Sequence, residues 1–263
     1  MKKPGQKIYL IIIMAFLYAP ILYLIAYSFN NGKTSVWKGF TWKWYEALFR
    51  DAQIMGSLKN TLTIALLAAI IATILGTLAA IGIYNFKGGV RSAIQNISNI
   101  PIINPEIVTG VSLMLLFTFA GTMLGFEMGF WTVLLAHIGF CTPYVILNVT
   151  PRIRQMDSSL YEAALDLGCS PVKAFFKVVI HELMPGILSG FLISFTYSLD
   201  DFVITYFTRG ARFQTLPVQI YTMTHQRINP KANALSAIMF VTILTLLIIS
   251  NIVTSRKDKE AAR

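Results

Sequence analysis

Charge is what this chain has least of. Asp, Glu, Lys and Arg make up 13% of its 263 residues and apolar residues 55%, where a soluble domain carries about a quarter charged residues. The shortfall excludes an ordinary soluble globule and points to a polytopic membrane protein. Acids are scarcer than bases, 12 against 22, for a net charge of +10. In a soluble chain that excess raises nucleic acid as a partner. Here it is assigned to loops on the cytoplasmic side of a membrane, where basic residues gather. Only two cysteines occur, Cys141 in an apolar run and Cys169 in a polar segment, so no disulfide framework is implied. No spacing fits a zinc, haem or iron–sulfur site. No P-loop and no nucleophile elbow is present, which excludes hydrolysis of ATP by this chain alone.

What the chain has instead is long apolar runs. A helix needs about 20 such residues to cross a bilayer. Six candidates follow in order: 8–29, 58–83, 91–120, 131–150, 183–207 and 234–254. The first is too long for the core of a signal peptide and has no small-residue cleavage site after it, so it is read as a retained span. The third is interrupted by "IPIINPE". Six spans place both termini on one side. Lys2, Lys3, Lys7, Lys87, Arg91, Arg152, Arg154, Lys173, Lys177, Arg256, Lys257, Lys259 and Arg263 then share that side, which favours cytoplasmic termini. The expected architecture is all-α, a single membrane domain over residues 1–263, with long outer loops at 30–56 and 208–233.

One cytoplasmic segment is polar and helical, "YEAALDLGCSPVKAFFKVVIHELMPG". It reads as two short helices. Ser159 is placed as the first N-cap, with Glu162 three residues on as a capping box. Gly168 supplies the left-handed residue at the helix end. Ser170 caps the second helix, with Pro171 at its first position. Leu160, Ala163, Ala164 and Leu167 form a shallow apolar face. On spacing alone, Glu162 serves either as a simple cap or as part of a docking surface.

The string Glu162, Ala163, Ala164, then Gly168, resembles the signature loop of ABC-importer membrane subunits. In that family the loop, here about 151–182, is a coupling helix that docks on a separate ATPase. His181 stands where the family usually has proline, with Pro185 four residues later. The resemblance extends to one branch, the spermidine/putrescine permeases of the PotC type. It is carried by "LYAPILYLIAYSFN", "GFTWKWYEAL", "NPEIVTGVSLM", "GFWTVLLAHIGFCTPYV", "SFTYSLDDFV", "LPVQIYTM" and "NALSAI", in that order. It implies a type I importer permease in a bacterial cytoplasmic (inner or plasma) membrane. It also implies a second homologous permease, a pair of ATP-binding subunits that hold ATP and magnesium, and an extracellular or periplasmic polyamine-binding protein. This chain itself would bind no cofactor.

Acids inside the membrane provide an independent line of argument, because ionisable groups at that depth are costly. Glu106 lies 15 residues beyond Arg91, about 22 Å along a helix. Pro101 and Pro105 precede it, and interrupted helices at the midplane build substrate sites. Asp200 and Asp201 lie at a similar depth on the fifth span. As consecutive residues on a helix they would diverge by about 100°, so one can face a pathway while the other meets a partner's cation or a backbone group. Three acids without a base make a path suited to cations. Ser198 is a possible hydrogen-bonding neighbour. Trp44, in "KWY", is either part of an interfacial aromatic belt or a cation–π contact. His137 is read as a packed span residue. The alternatives are the same fold carrying iron or a thiamine-like cation, and a gradient-driven secondary carrier.

Overall fold

The computed structural model describes residues 4–32, 36–226 and 230–261. Lys2, Lys3 and Arg263, which entered the charge bias, lie outside them. The described chain is helical, with one isolated bridge between Asn30 and Phe40. Six helices are long and apolar enough to cross a membrane, so this is a multi-pass membrane protein. It divides into two compact units, residues 1–58 with 216–244, and residues 59–215 with 245–263.

In the first unit, α1 (Pro4–Ser28) is apolar on every face, and none of its spanning window is buried. A helix like this has no core stripe of its own and suits a lipid or protein environment. The outer loop after it is held by its own side chains. Asn30 Oδ1 accepts the backbone N–H of Gly32 (3.1 Å) and of Lys38 (2.8 Å). The loop carries a short helix, α2 (Lys43–Phe49), before α3 (Ala52–Asn85). Asp51 starts α3 by accepting the N–H of Gln53 and of Ile54, and its other oxygen meets Lys231 Nζ at 3.2 Å. Trp44, Leu48 and Ile54 pack with Leu216 of α11 (Leu216–Gln226) and with Ala234 and Leu235 of α12 (Pro230–Ala261).

The second unit is built on two antiparallel neighbours, α6 (Phe130–Gln155) and α9 (Ile180–Asp200). Small residues set their spacing. A Cβ added at Gly186 would stand 2.8 Å from the Asn148 carbonyl oxygen, and one at Gly190 would stand 3.1 Å from Val145 Cα. One helical turn separates these glycines, the small-xxx-small pattern by which membrane helices approach closely. Gly76 on α3 meets Val145 as well. Around this contact Ala72, Ala80, Cys141, Val145, Val149 and Leu183 form the core.

The third span is interrupted at "IPIINPE", as expected, and the fifth differs from the sequence expectation. The third is two helices, α4 (Gly88–Ile103) and α5 (Glu106–Leu124). Pro101 stays inside α4, and the break falls at Asn104 and Pro105, both extended (ψ 136° and 132°). The reason is local, since a residue before proline is pushed out of the helical region. The fifth span was expected to run unbroken over 183–207. It begins earlier and ends earlier. A helix from Pro171, α8 (Pro171–Ala174), continues through a π turn at Phe175–Val179 into α9, and helix stops at Asp200. Asp201 is extended (ψ 122°), and α10 (Val203–Thr208) starts anew.

The polar segment also departs in one detail. Its first helix, α7 (Ser158–Asp166), begins at Asp157 and not at Ser159. The Asp157 carboxylate accepts the Ser159 N–H at 3.0 Å. An ionised acid is a strong cap there because it also meets the positive end of the helix. That backbone hydrogen bond holds Asp157 below the usual carboxylate pKa. Leu160 then holds the third helical position, and Glu162, two residues further on, cannot close a capping box. The helix end is as expected. Gly168 has φ +81°, its N–H bonds the Leu165 carbonyl (2.9 Å), and the Cys169 N–H bonds the Ala164 carbonyl (3.0 Å). Together these bonds make a Schellman motif. Ser170 and Pro171 take their expected positions, though the Ser170 side chain makes no cap bond.

Candidate functional site

The two helix breaks converge on one cavity. It measures about 360 Å³ and is lined by Pro101, Glu106 and Thr109 at the first break, by Asp200 to Ile204 at the second, and by Phe140, Tyr144 and Tyr197. Glu106 is the first residue of α5, and Asp200 the last of α9. Both are exposed. Asn104 Nδ2 reaches across the first break to Thr109 Oγ1 at 3.4 Å. On α5, Gly110 gives room to Phe207 of α10, since a Cβ there would lie 2.8 Å from the Phe207 ring.

The consecutive aspartates have separate tasks. Asp201 turns inward, its side chain 6% exposed. Its Oδ2 accepts the N–H and the Oγ1–H of Thr205, each at 2.8 Å, and its Oδ1 accepts the Ile204 N–H at 3.3 Å. These bonds start α10. The same Oδ2 lies 3.4 Å from His137 Nε2, and that nitrogen also meets Thr205 Oγ1 at 2.9 Å. His137 Nδ1 shares a 2.6 Å hydrogen bond with Ser198 Oγ. One buried imidazole thereby ties α6 to the end of α9 and to the start of α10. Asp200 has no such role and stands at the cavity wall.

Of the five pathway residues proposed from sequence, the structure brings Glu106, Asp200 and Asp201 together. Ser198 is buried and spent on His137, so it is not part of the lining. Trp44 is not part of this group either. It is 8% exposed, buried in the first unit, and its indole N–H donates to the Asn30 carbonyl at 2.8 Å. Lys43 Nζ stands over its ring, 5.9 Å from the centroid.

Sequence reasoning missed the aromatic wall. The Tyr144 and Tyr197 ring centroids lie 4.7 Å apart, and Phe140 and Phe202 complete the enclosure. Tyr197 was legible, because it precedes Asp200 by one helical turn. Tyr144 and Phe140 come from another span, and no local pattern points to them. The lining holds no Lys or Arg. Two exposed carboxylates, Glu106 and Asp200, with aromatic faces and no Lys or Arg in the lining, can hold a small organic cation, by charge-assisted hydrogen bonds and by ring–cation attraction.

At the far end of α6, Glu162, Ala163 and Gly168 are exposed and Ala164 is half-buried. Leu160 (44%) and Leu167 (86%) stand out beside them. The other side of α7 is anchored through Tyr161, which packs on the core. The apolar face is therefore presented outward.

Residues 72–259 match the family described as the binding-protein-dependent transport system inner membrane component. The chain belongs to that family. It is 38% identical over 254 residues to the Haemophilus influenzae spermidine/putrescine transport system permease protein PotC, covering 96% of this chain and 97% of that one. It is 38% identical over 267 residues to the Escherichia coli putrescine transport system permease protein PotI, covering 100% and 95%. Among solved structures, a bacterial ABC transporter that imports the acidic polysaccharide alginate superposes with a TM-score of 0.70 at 18% identity, covering 96% of this chain and 94% of that one. An inward-facing MetNI methionine ABC transporter superposes with a TM-score of 0.61 at 16% identity, covering 82% and 99%. The fold is that of ABC-importer permeases. This chain is a transport subunit and not an enzyme.

Proposed function

We propose that this permease forms part of the translocation path for polyamines, spermidine or putrescine, in an ATP-driven importer. The observation that carries the reading is the cavity at the two helix breaks. Glu106 and Asp200 bring exposed carboxylates to it, Asp201 lies beneath, and tyrosines wall it. A polyamine entering a poorly hydrated passage loses water from its ammonium groups at large cost. Carboxylates replace that water, and aromatic faces pack on the methylenes between the charges. Two relatives that cover nearly the whole chain carry polyamine names.

In this reading Glu162, Ala163, Ala164 and Gly168 form the contact with the ATPase, on the face that α7 leaves open. The partners are a second homologous permease, a pair of ATP-binding subunits and a polyamine-binding protein outside the membrane. ATP and magnesium belong to the ATP-binding subunits. Both termini lie in the cytoplasm of a bacterial cell, on the same side as α7. The test is uptake of labelled spermidine and putrescine by the reconstituted complex. Uptake is expected to require ATP and the binding protein. Uptake driven by an ion gradient without ATP would replace this account with a secondary carrier.

A further inference from the structure

Asp200 sits between two anchors, and one side chain holds both. Ser198, two residues before it, is buried and shares a 2.6 Å hydrogen bond with His137 Nδ1. Asp201, one residue after it, has Oδ2 at 3.4 Å from His137 Nε2. That nitrogen also meets Thr205 Oγ1, on α10, at 2.9 Å. One turn earlier along α9, Ser194 and Cys141 exchange longer bonds, 3.4 Å and 3.5 Å. His137 is therefore the tie between α6 and α9 that lies nearest Asp200. Helix stops at Asp200, and Asp201 is extended. Helix ends fray, so a side chain there keeps a fixed direction only if its neighbours are held.

The bonds also place the ring proton. Thr205 Oγ1 gives its hydrogen to Asp201 Oδ2, so it meets His137 Nε2 as an acceptor. Nε2 carries the hydrogen, and in the neutral ring Nδ1 accepts from the Ser198 hydroxyl. The imidazole is 1% exposed and lies outside the cavity lining. Phe140, nearly one turn on along α6, packs against it with ring centroids 5.1 Å apart, and Phe140 does line the cavity. His137 is thus close to the cavity wall without touching what the cavity holds.

We propose that His137 is a positioning residue for transport. It clamps the chain at Ser198 on one side and at Asp201 and Thr205 on the other, and so aims the Asp200 carboxylate into the cavity. This role rests on the cavity being the polyamine path, and it assigns the solute contact to Asp200 alone of the pair.

The experiment is a double-variant cycle read as polyamine uptake by assembled, ATP-binding complexes. His137→Leu removes both halves of the clamp and should lower uptake about tenfold, as small misplacement of a working group does. His137→Gln carries an amide to the Nε2 position, keeps the donor to Thr205, and should recover part of the loss. In the Asp200→Asn background, His137→Leu should cause no further loss, because residues that act through one another are not additive. Ser198→Ala replaces His137→Leu in the same cycle if the latter fails to assemble. Wild-type uptake in the single clamp variant, or an undiminished loss when Asp200 is already neutral, would overturn the positioning role. Wild-type uptake by Asp200→Asn alone would overturn the cavity reading beneath it.

Discussion

His137 and Asp201 meet across the break in the fifth span, with His137 Nε2 3.4 Å from Asp201 Oδ2 and both side chains nearly sealed from solvent. The contact gives the adjacent aspartates different work. Asp201 builds the joint by starting α10 and gripping α6 through the imidazole. Asp200, at the end of α9, is left to face the cavity.

Stability and transport should therefore separate at these neighbours. Asp201→Ala leaves the Ile204 and Thr205 N–H groups and the Thr205 hydroxyl without their acceptor, and each buried group left unsatisfied costs about 1–3 kcal/mol. Thermal unfolding of the purified complex should show a clear loss. Asp200→Asn should leave the unfolding midpoint in place. A midpoint unchanged by Asp201→Ala would show that the joint is held by something else.

The α6–α9 contact should tolerate no added bulk. Gly186→Leu forces a side chain onto Arg152 and the Asn148 carbonyl, and overpacking of this kind costs about 1–3 kcal/mol. Lower yield and a lower midpoint in detergent are expected. Gly56→Ala, where nothing lies within 4 Å, serves as the control and should behave as wild type.

How much of this was legible in the sequence varies by element. The six spans followed from hydropathy, and Gly168 from its place after a capped helix. Glu106, Asp200 and Asp201 stood out because acids are rare in such runs. The break at Asn104 and Pro105 was written in the prolines. The break at Asp201 was not, because no proline or glycine marks it. It comes from bonds to Thr205 and His137, one of them 64 residues away in the chain. Ser198 and Trp44 were chosen by position beside other groups, and position along the chain does not say which way a side chain turns. The cap at Asp157 was overlooked for Ser159, although an acid two residues earlier is the stronger acceptor.

That cap makes the local order of α7 depend on pH. The Ser159 N–H stabilises the ionised form and lowers the Asp157 pKa. Its contribution is present above the pKa of the unfolded carboxyl and is lost as pH falls through the lowered folded value. Hydrogen exchange at the first amides of α7 should quicken in acid. Asp157→Asn should remove that dependence. Identical pH profiles for wild type and variant would exclude the cap as the cause.

Coupling should fail at α7 without loss of assembly in the membrane. Gly168→Val places a β-branched side chain at φ +81°, a left-handed conformation that costs an L-residue about 1–2 kcal/mol. Glu162→Ala removes an exposed carboxylate that has no part in the cap. Both variants should insert normally, yet co-purify with less ATPase and show reduced ATP-driven uptake. Full uptake in both would remove α7 as the docking surface.

The central claim is that the carboxylates at the two helix breaks carry the cation. The most direct measurement is polyamine uptake by assembled, ATP-binding complexes bearing Asp200→Asn, Glu106→Gln or both. Each substitution keeps size and hydrogen-bonding capacity and removes only charge. Loss of one charge-assisted contact is worth about 1.5–3 kcal/mol, so uptake should fall roughly ten- to a hundredfold for Asp200→Asn and further for the pair. The affinity of the separate binding protein for polyamine should stay the same. Wild-type uptake by an assembled double variant would contradict the account.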